Sequence, residues 1–284
     1  MGAAVAANDS GRAPGRAQRP GRSGKRALSF QVFVGLSVAV LGLVMGSAVT
    51  ALSWRIPRRE SWVHGRSRCP GCGHVLGVLD LFPVLSWLAS RGRCRYCGVR
   101  VSPRYPFIEL TCGAWAWLSW RHLGLTPAFP LVALWGFLLV ALIWIDLDFQ
   151  LLPDVLTFPG VLLAIAASLL GPGIRHALLG MALGAGLLWL VAELYLRVRR
   201  VEGMGFGDVK LAAMFGALLG APLTLLAIFL AAFGGSLAGV TMMLRGRGGM
   251  KTALPFGVFL GPAAMIAYLW GQGWISAYLR LLHP

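Results

Sequence analysis

Residues 128–171 read AFPLVALWGFLLVALIWIDLDFQLLPDVLTFPGVLLAIAASLLG. Two long apolar runs in this stretch flank a short segment that carries Asp146, Asp148 and Asp154. Apolar runs of this length are typical of helices that cross a bilayer, whereas the strands of a membrane barrel alternate apolar with polar positions. A carboxylate beside hydrocarbon is unfavourable, and it is therefore a candidate functional group. The stretch predicts membrane helices with acidic residues at their ends.

The rest of the chain has the same apolar character. Of its 284 residues, 57% are hydrophobic and 13% are charged, whereas a soluble domain has about 25% charged residues. Backbone polar groups in lipid must be bonded internally, so only helices or closed barrels span a membrane. We predict an all-α polytopic membrane protein with about eight transmembrane helices. The predicted spans are 30–54, 105–121, 128–146, 154–171, 175–197, 208–220, 222–244 and 254–279.

The first 28 residues differ from everything that follows. They are rich in Gly, Ala, Arg and Pro and have almost no large apolar side chains, which predicts a disordered basic tail. The apolar run after them is of membrane-spanning length, so we do not interpret this region as a cleavable signal peptide. The predicted parts of the chain are the tail (1–28), a first transmembrane helix (29–54), a cytoplasmic four-cysteine insert (55–104) and a membrane-embedded domain (105–284).

The formal net charge of +16 is explained by the distribution of basic residues expected for a membrane protein. We therefore predict contacts with membrane lipids and no nucleic-acid partner. The basic residues lie in loops between apolar spans, as the positive-inside rule expects. If the insert 55–104 is cytoplasmic and the spans alternate, seventeen Lys and Arg residues fall inside and three fall outside, with six more in the tail. The tail would then lie outside, against the rule. Both acidic loops, 146–154 and 198–208, fall on the cytoplasmic face of the cytoplasmic (inner) membrane.

The insert contains two Cys-x2-Cys pairs, Cys69 with Cys72 and Cys94 with Cys97, separated by 21 residues. Two such pairs can offer four thiolates to one tetrahedral zinc ion, and four thiolates leave no open position for catalysis. We therefore predict a small zinc-ribbon-like insert with a structural zinc. Two disulfides or unpaired thiols are the alternatives, and a cytoplasmic location disfavours disulfides. The fifth cysteine, Cys112, lies in an apolar run and is expected to be a buried small residue.

The three aspartates of the opening stretch are predicted to differ in role. If one helix continues through both Asp146 and Asp148, the two cannot share a face, so one faces the interior and the other the headgroups. Pro153 cannot continue the preceding helix but fits the first turn of the next. Asp154 then falls at a helix N-terminus, where a carboxylate is favoured whether or not it has a chemical role.

A second acidic position follows a glycine-rich loop with Gly203, Gly205 and Gly207 just before Asp208 and Lys210. Glycines at alternate positions allow unusual backbone angles and the close approach of another chain, such as an extended substrate. A phosphate-binding loop and a simple hinge are the alternatives. A phosphate-binding loop is disfavoured, because this segment lacks the Gly-Lys-Ser/Thr ending of such loops.

Asp146 and Asp208 are predicted to meet at one membrane face. Two carboxylates held close together cannot both ionise easily and therefore share a proton. The ionised one can take a proton from water while the other polarises a scissile carbonyl. Since the five histidines are scattered over loops and ends, no Ser–His or Cys–His arrangement competes with this pair.

The order and spacing of these motifs resemble those of the type 4 prepilin peptidases, membrane aspartic proteases of the Gly-x-Gly-Asp type. The resemblance covers nearly everything after residue 35. The blocks that carry it are Gly46-Ser47, Arg55-Ile56-Pro57, the two cysteine pairs, Arg104-Tyr105-Pro106-Phe107-Ile108-Glu109-Leu110, Ile145-Asp146-Leu147-Asp148, Leu151-Leu152-Pro153-Asp154, Gly203-Met204-Gly205-Phe206-Gly207-Asp208-Val209-Lys210-Leu211 and Pro255-Phe256-Gly257.

The resemblance implies an enzyme with Asp146 and Asp208 as its catalytic pair. Family members cut the short basic leader from type IV prepilin or type II secretion pseudopilin precursors at the cytoplasmic face, just after a glycine. Many also methylate the new N-terminus with S-adenosylmethionine as cofactor. The positions expected to support the catalytic pair are Asp148, Asp154, Gly205, Gly207 and Lys210.

Two departures concern the region tied to methylation. Gly46-Ser47 is followed by Ala48-Val49-Thr50, without the phenylalanine and asparagine that are common there, and Asp80 stands where asparagine is common. The cysteine pairs are retained, so methylation is left open. A membrane transporter or secretion-assembly scaffold with a structural zinc ribbon is the alternative function, because intramembrane carboxylates also relay protons. A transporter would place its site near mid-membrane, unlike the predicted position of this pair.

Overall fold

The computed structural model describes residues 22–61, 65–201, 204–246 and 255–282, with side chains from Ser29 onward. The predicted all-α architecture is confirmed, since these residues contain isolated β-bridges but no strand. A 3-10 turn (Val78–Asp80) and a π turn (Ala267–Gly271) accompany the helices. The helices are α1 (Arg22–Arg55), α2 (Leu85–Ala89), α3 (Arg104–Leu123), α4 (Ala128–Phe149), α5 (Asp154–Leu169), α6 (Ile174–Arg199), α7 (Phe206–Leu244), α8 (Gly257–Ile266) and α9 (Gln272–Leu282).

Four of these helices are long and apolar enough to cross a membrane, namely Ser29–Arg55, Ala128–Phe149, Ile174–Arg199 and Phe206–Leu244. They support an integral membrane protein, while the count of eight spans stays a prediction. Helix α1 already begins at Arg22, inside the segment that we predicted as a tail. Residues 1–21 of that predicted tail lie outside the part of the chain that the structure describes.

The predicted spans 208–220 and 222–244 form the two halves of α7. The helix is interrupted at Gly220, whose φ of 69° and ψ of 174° are not helical. Pro222 has no N–H to donate to the carbonyl of Leu218, four residues earlier. The ring of His176 on α6 takes that place, with its Nε2 atom 3.3 Å from the Leu218 oxygen. The break that the proline predicts is therefore compensated by a side chain from the neighbouring helix.

Small residues allow the helices to pack closely, as is common in membranes. Gly180 on α6 contacts the backbone of Gly216 on α7 so tightly that neither position has room for a side chain. A Cβ atom at Gly42 on α1 would lie 2.7 Å from the Cβ atom of Ala116 on α3. These close approaches fix how the helices of the bundle sit against one another.

One end of the bundle gathers the termini that carry the predicted site. The end of α1, the start of α3, the end of α4 and the starts of α5, α7 and α8 meet there. The contacts that join them are Arg104 with Ser53 and Asp148, Lys210 with Asp154, and Val258 with Asp146.

Candidate active site

Asp146 lies in the last turn of α4, and only 5% of its surface is exposed. Its Oδ2 atom accepts a hydrogen bond of 3.1 Å from the backbone N–H of Val258, in the first turn of α8. Gly257 packs directly on the same carboxylate, and a Cβ atom at this position would lie 2.7 Å from Oδ2. The carboxylate is therefore held by backbone from a helix that begins 111 residues later in the chain.

Asp208 lies in the first turn of α7, and 8% of its surface is exposed. A carboxylate is favoured at a helix N-terminus. Asp208 lies close enough to Asp146 for the two carboxylates to repel each other. Gly207, next to Asp208, and Gly257, which contacts Asp146, both pack on Leu152. A Cβ atom at Gly207 would lie 2.9 Å from the Cβ atom of Leu152, and one at Gly257 would lie 3.5 Å from its Cδ1 atom. The structure thus brings the two predicted catalytic residues to the same place.

The glycines before Asp208 serve packing more than unusual backbone angles. Gly205 caps α7 with a φ of −72° and a ψ of 143°, which any residue can adopt. Position 207 requires glycine, because the side chain of Leu152 occupies the space that a Cβ atom would need. Gly207 therefore makes room for a side chain of the same protein and Gly205 adopts an ordinary conformation, while the approach of a substrate chain to these glycines stays a prediction. Gly203 lies outside the described residues.

Asp146 and Asp148 face opposite ways, as the sequence predicted. Helix α4 continues through both of them to Phe149, with Asp146 buried and Asp148 exposed. Asp148 forms an ion pair with Arg104, the first residue of α3. Arg104 also donates to Ser53 Oγ on α1 at 3.1 Å. This ion pair ties the end of α4 to two other helices, two residues from Asp146.

Asp154 and Lys210 form a second ion pair on the other side of the site. Lys210 Nζ lies 2.7 Å from Oδ1 and 2.9 Å from Oδ2 of Asp154. Asp154 is the first residue of α5, as predicted, and Lys210 lies two residues after Asp208 on α7. The pair therefore fixes the start of α7, with Asp208, relative to α5.

We expect charge reversal at either member of this pair to slow turnover by the predicted catalytic pair, Asp146 and Asp208, by about threefold to tenfold. Partly exposed ion pairs contribute about 1 kcal/mol or less, and the two like charges of Asp154→Lys or Lys210→Asp would repel. The double variant Asp154→Lys/Lys210→Asp restores the attraction and should recover most of the rate. Reversal of the Glu193–Arg197 pair on α6, at 2.7 Å, serves as the control. Equal rates in all variants would contradict a positioning role.

Gly257→Ala should reduce turnover by about tenfold to a hundredfold, because misplacement of a catalytic group by about 1 Å can have effects of this size. The added Cβ atom would meet the Asp146 carboxylate at 2.7 Å and force it to rotate away from the Val258 N–H. Gly273→Ala on α9 is the matched control, since no atom lies within 4 Å of its added Cβ. Normal single-turnover rates in Gly257→Ala would show that the contact is unimportant.

Glu109 is a buried carboxylate that the sequence marks only as an acidic residue in an apolar run. It lies on α3 with 8% of its surface exposed. Its Oε2 atom accepts a hydrogen bond of 2.8 Å from the backbone N–H of Val84 in the insert. The partner of Glu109 is a backbone group 25 residues away, so no residue pattern predicts it. Cys112 on the same helix is fully buried, which confirms the prediction for it.

The four cysteines of the insert come together as a potential metal site. The Sγ atoms of Cys69, Cys72, Cys94 and Cys97 all lie within 4.8 Å of one another. The Cys69 and Cys97 sulfurs are 3.8 Å apart, too far for a disulfide. Tetrahedral zinc with Zn–S bonds of about 2.3 Å requires sulfurs about 3.8 Å apart. The cluster therefore fits zinc, as the spacing predicted.

Each cysteine pair lies in a tight turn closed by backbone hydrogen bonds. In the first turn Gly73 donates to the Cys69 carbonyl, and in the second Gly98 donates to the Cys94 carbonyl, both at 2.9 Å. Gly73 and Gly98 have φ angles of 69° and 72°, which favour glycine. Backbone N–H groups of Cys72 and Gly71 lower the pKa of Cys69 to about 6. The first turn therefore favours the thiolate of Cys69, the form that binds metal, whereas burial and hydrogen bonds with the neighbouring cysteines raise the pKa of Cys97 to about 12.

Asp80, one of the departures noted in the sequence, connects the 3-10 turn Val78–Asp80 of the insert to the turn that contains Cys94 and Cys97. It accepts hydrogen bonds from the Tyr96 hydroxyl at 3.1 Å and from the Gly77 N–H at 3.0 Å. Arg95 lies 3.6 Å from its other oxygen. The hydrogen bond to Asp80 raises the pKa of Tyr96. Asp80 therefore links the segment around Gly77 to the second cysteine turn, and these contacts stabilise the insert.

Two family models match the chain. The bacterial peptidase A24 N-terminal domain matches residues 40–123, and the type IV leader peptidase family matches residues 131–240. The first match joins the cysteine insert to the helices on both sides of it. The second contains both aspartates. No solved structure matches the chain significantly.

Several related proteins match most of the chain. A prepilin leader peptidase/N-methyltransferase of Stutzerimonas stutzeri is 34% identical over 273 residues, which cover 86% of this chain and 93% of the relative. One from Pseudomonas putida is 36% identical over 269 residues with the same coverage of 86% and 93%. One from Myxococcus xanthus is 42% identical over 220 residues, covering 75% of this chain and 64% of the relative. These matches and the two family models show that the chain belongs to the type IV leader peptidase family.

Proposed function

We propose that the chain is a membrane aspartic endopeptidase that removes the leader peptide from type IV prepilins or pseudopilins. Cleavage follows a glycine and occurs at the cytoplasmic face of the cytoplasmic membrane. Family membership and the names of the relatives support the reaction class. The observation that carries the assignment to this site is the pair of buried carboxylates, Asp146 and Asp208, which interact at one end of the helix bundle.

The pair performs hydrolysis without a nucleophilic side chain. Two interacting carboxylates share one proton. The ionised carboxylate removes a proton from a water molecule as that water attacks the scissile carbonyl, and the protonated carboxyl donates a hydrogen bond to the carbonyl oxygen. When the tetrahedral intermediate collapses, the proton passes to the leaving amine. Burial of both groups strengthens these interactions, because the local dielectric constant is low.

Contacts from neighbouring helices position the pair. The Val258 N–H occupies one side of the Asp146 carboxylate and fixes its orientation. The ion pairs Arg104–Asp148 and Lys210–Asp154 lie on the helix ends that carry Asp146 and Asp208. Because these ion pairs are not part of the acid–base cycle, we assign them positioning roles.

The cytoplasmic orientation is supported by the distribution of basic residues. The insert 55–104 contains ten arginines and two acidic residues, and the positive-inside rule favours the cytoplasm for such a segment. The insert joins the end of α1 to the start of α3, which lie at the same end of the bundle as both aspartates. Cleavage at the cytoplasmic face follows from this orientation.

Zinc would be held by Cys69, Cys72, Cys94 and Cys97, where four thiolates give a closed structural site. The ion would stabilise the fold of the insert and supply no chemistry to cleavage. N-methylation rests on the names of the relatives. One cleft of the insert is lined by Arg91, Arg93 and Arg100 and contains no acidic side chain. It does not fit the sulfonium and ammonium groups of S-adenosylmethionine, and we derive no methylation step.

Co-expression with a model prepilin, followed by mass spectrometry of the pilin N-terminus, tests the proposal. We expect the leader to be removed after its last glycine, and an additional methylene mass would establish methylation. Uncut precursor beside a correctly inserted enzyme would overturn the assignment of substrate. Proton uptake by reconstituted vesicles, without cleavage of any pilin-like precursor, would favour a transporter.

A further inference from the structure

The insert carries a cationic cleft that the proposed peptidase mechanism does not use. The cleft has a volume of about 510 Å³ and is lined by Arg91, Arg93, Arg100 and Trp87, close to the start of α3. Arg93 and Arg100 face each other as a bridge pair across the second cysteine turn. All three arginines are exposed. Among the described residues, no acidic side chain forms an ion pair with any of them.

Such a cleft favours an anion with a phosphate group. The guanidinium group binds phosphate oxygens through pairs of parallel N–H donors. Three guanidinium groups without a carboxylate among them leave positive charge that only an external anion can neutralise. The Trp87 ring forms one wall and packs against Gly92, where an added Cβ atom would lie 2.9 Å from the ring. Tryptophan is enriched at the membrane–water interface.

An exposed apolar strip runs beside the cleft. Between residues 75 and 90 Asp80 is the one charged residue. The side chains that define the strip are between 54% and 83% exposed, which is unusual for large apolar residues outside the membrane helices. They are Val78, Leu79, Phe82, Leu85 and Leu88.

A hydrogen bond fixes the position of this strip relative to α3. Val84, inside the strip, donates its N–H to Glu109. Glu109 lies five residues after Arg104, the first residue of α3, or about 7.5 Å along the helix axis. Because helical side chains lean toward the N-terminus, Val84 is held at the level of the first turns of α3. The apolar strip consequently lies beside the first turns of α3, at the end of the helix bundle that carries Asp146 and Asp208.

We propose that the insert binds an anionic phospholipid, with its phosphate in the arginine cleft and its acyl chains on the apolar strip. A lipid is favoured over free phosphate because it joins an anion to hydrocarbon, and the insert offers partners for both on adjacent surfaces. It is favoured over the basic leader of a precursor because the arginines would repel basic residues. The inference is independent of the peptidase activity.

Native mass spectrometry of the delipidated full-length protein, titrated with dioleoyl-phosphatidylglycerol, tests the site. Each arginine near a membrane surface contributes roughly a fivefold gain in affinity. Replacing all three cleft arginines by glutamine is therefore expected to weaken retention of this lipid by about a hundredfold. The matched control removes the same charge at the end of α6 and should retain the lipid. The two variants are Arg91→Gln/Arg93→Gln/Arg100→Gln and Arg197→Gln/Arg199→Gln/Arg200→Gln.

Further variants separate this site from a general effect of charge or folding. The variant Arg91→Lys/Arg93→Lys/Arg100→Lys keeps the positive charge of the cleft and should bind the lipid more tightly than the glutamine variant. Leu79→Ser/Phe82→Ser keeps the arginines and should weaken binding by about tenfold or more, because apolar surface for the acyl chains is lost. Zinc content must be the same as in the wild type in each cleft and strip variant. Dioleoyl-phosphatidylcholine has no net charge, so its binding should change far less than that of dioleoyl-phosphatidylglycerol when the cleft arginines are replaced by glutamine.

Four results would overturn the proposal. Equal weakening by both glutamine triples would show diffuse attraction, and unchanged retention in the cleft variant would show that no site exists there. Displacement of the lipid by inorganic phosphate would identify a phosphate site. If a leader peptide competed with the lipid and lost binding in the cleft variant, the surface would be a docking site for the precursor.

Discussion

Replacing either Asp146 or Asp208 with asparagine is expected to reduce leader cleavage by about a thousandfold or more. Asparagine has nearly the shape of aspartate but can neither take a proton from water nor share one with its partner. The amide oxygen of the Asp146→Asn variant could still accept the hydrogen bond from Val258, so the helix ends should stay in place. Single-turnover cleavage of a model prepilin in proteoliposomes measures the effect, with membrane insertion checked for each variant.

A matched variant controls for the loss of one negative charge. Glu193→Gln removes a carboxylate near the end of α6, where it pairs with Arg197 on the surface, and surface pairs contribute about 1 kcal/mol or less. Its cleavage rate should be close to that of the wild type. If Asp146→Asn and Asp208→Asn both cleaved at normal rates, the aspartate mechanism would be wrong.

Cys94→Ser is expected to weaken zinc binding by at least about a hundredfold, because it removes one of four thiolate ligands from a closed site. Metal content after dialysis should fall from one zinc per chain to nearly none. The insert has little core of its own, since Cys69 and Cys94 are among its few buried residues. Its loss of structure should therefore appear as faster proteolysis between α1 and α3.

Cys112→Ser is the control for this experiment. Cys112 is the fifth cysteine of the chain and is fully buried on α3, away from the cluster. The variant should bind zinc normally, although the packing of α3 changes. Full zinc occupancy in Cys94→Ser would contradict a four-thiolate site, and a disulfide in the protein purified from the cytoplasmic membrane under native conditions would contradict a metal site altogether.

Much of the candidate site could be predicted from local sequence. The position of Asp154 at a helix start and the opposite orientations of Asp146 and Asp148 follow from the geometry of one helix. The closeness of the cysteines within each pair follows from a short turn. Each of these features depends on residues within a few positions of one another, where backbone geometry leaves few alternatives.

Contacts between distant segments could not be predicted in this way. The hydrogen bond from Val258 to Asp146, the one from Val84 to Glu109, and the contact of Gly207 with Leu152 join residues that no periodicity relates. A glycine that makes room for a neighbouring side chain and a glycine that turns the backbone look alike in sequence. The structure separates them, since Gly207 makes room for Leu152 whereas Gly98, with a φ of 72°, turns the backbone.

Local sequence patterns are enough to predict a helical membrane protein with acidic residues at helix ends and a four-cysteine insert. Apolar run length and ligand spacing are local properties that lipid and metal geometry restrict strongly. The packed structure is needed to establish which backbone groups hold Asp146 and how Arg104 and Lys210 pair with Asp148 and Asp154. These depend on how the helices pack, and packing is set by many weak contacts between side chains far apart in the chain.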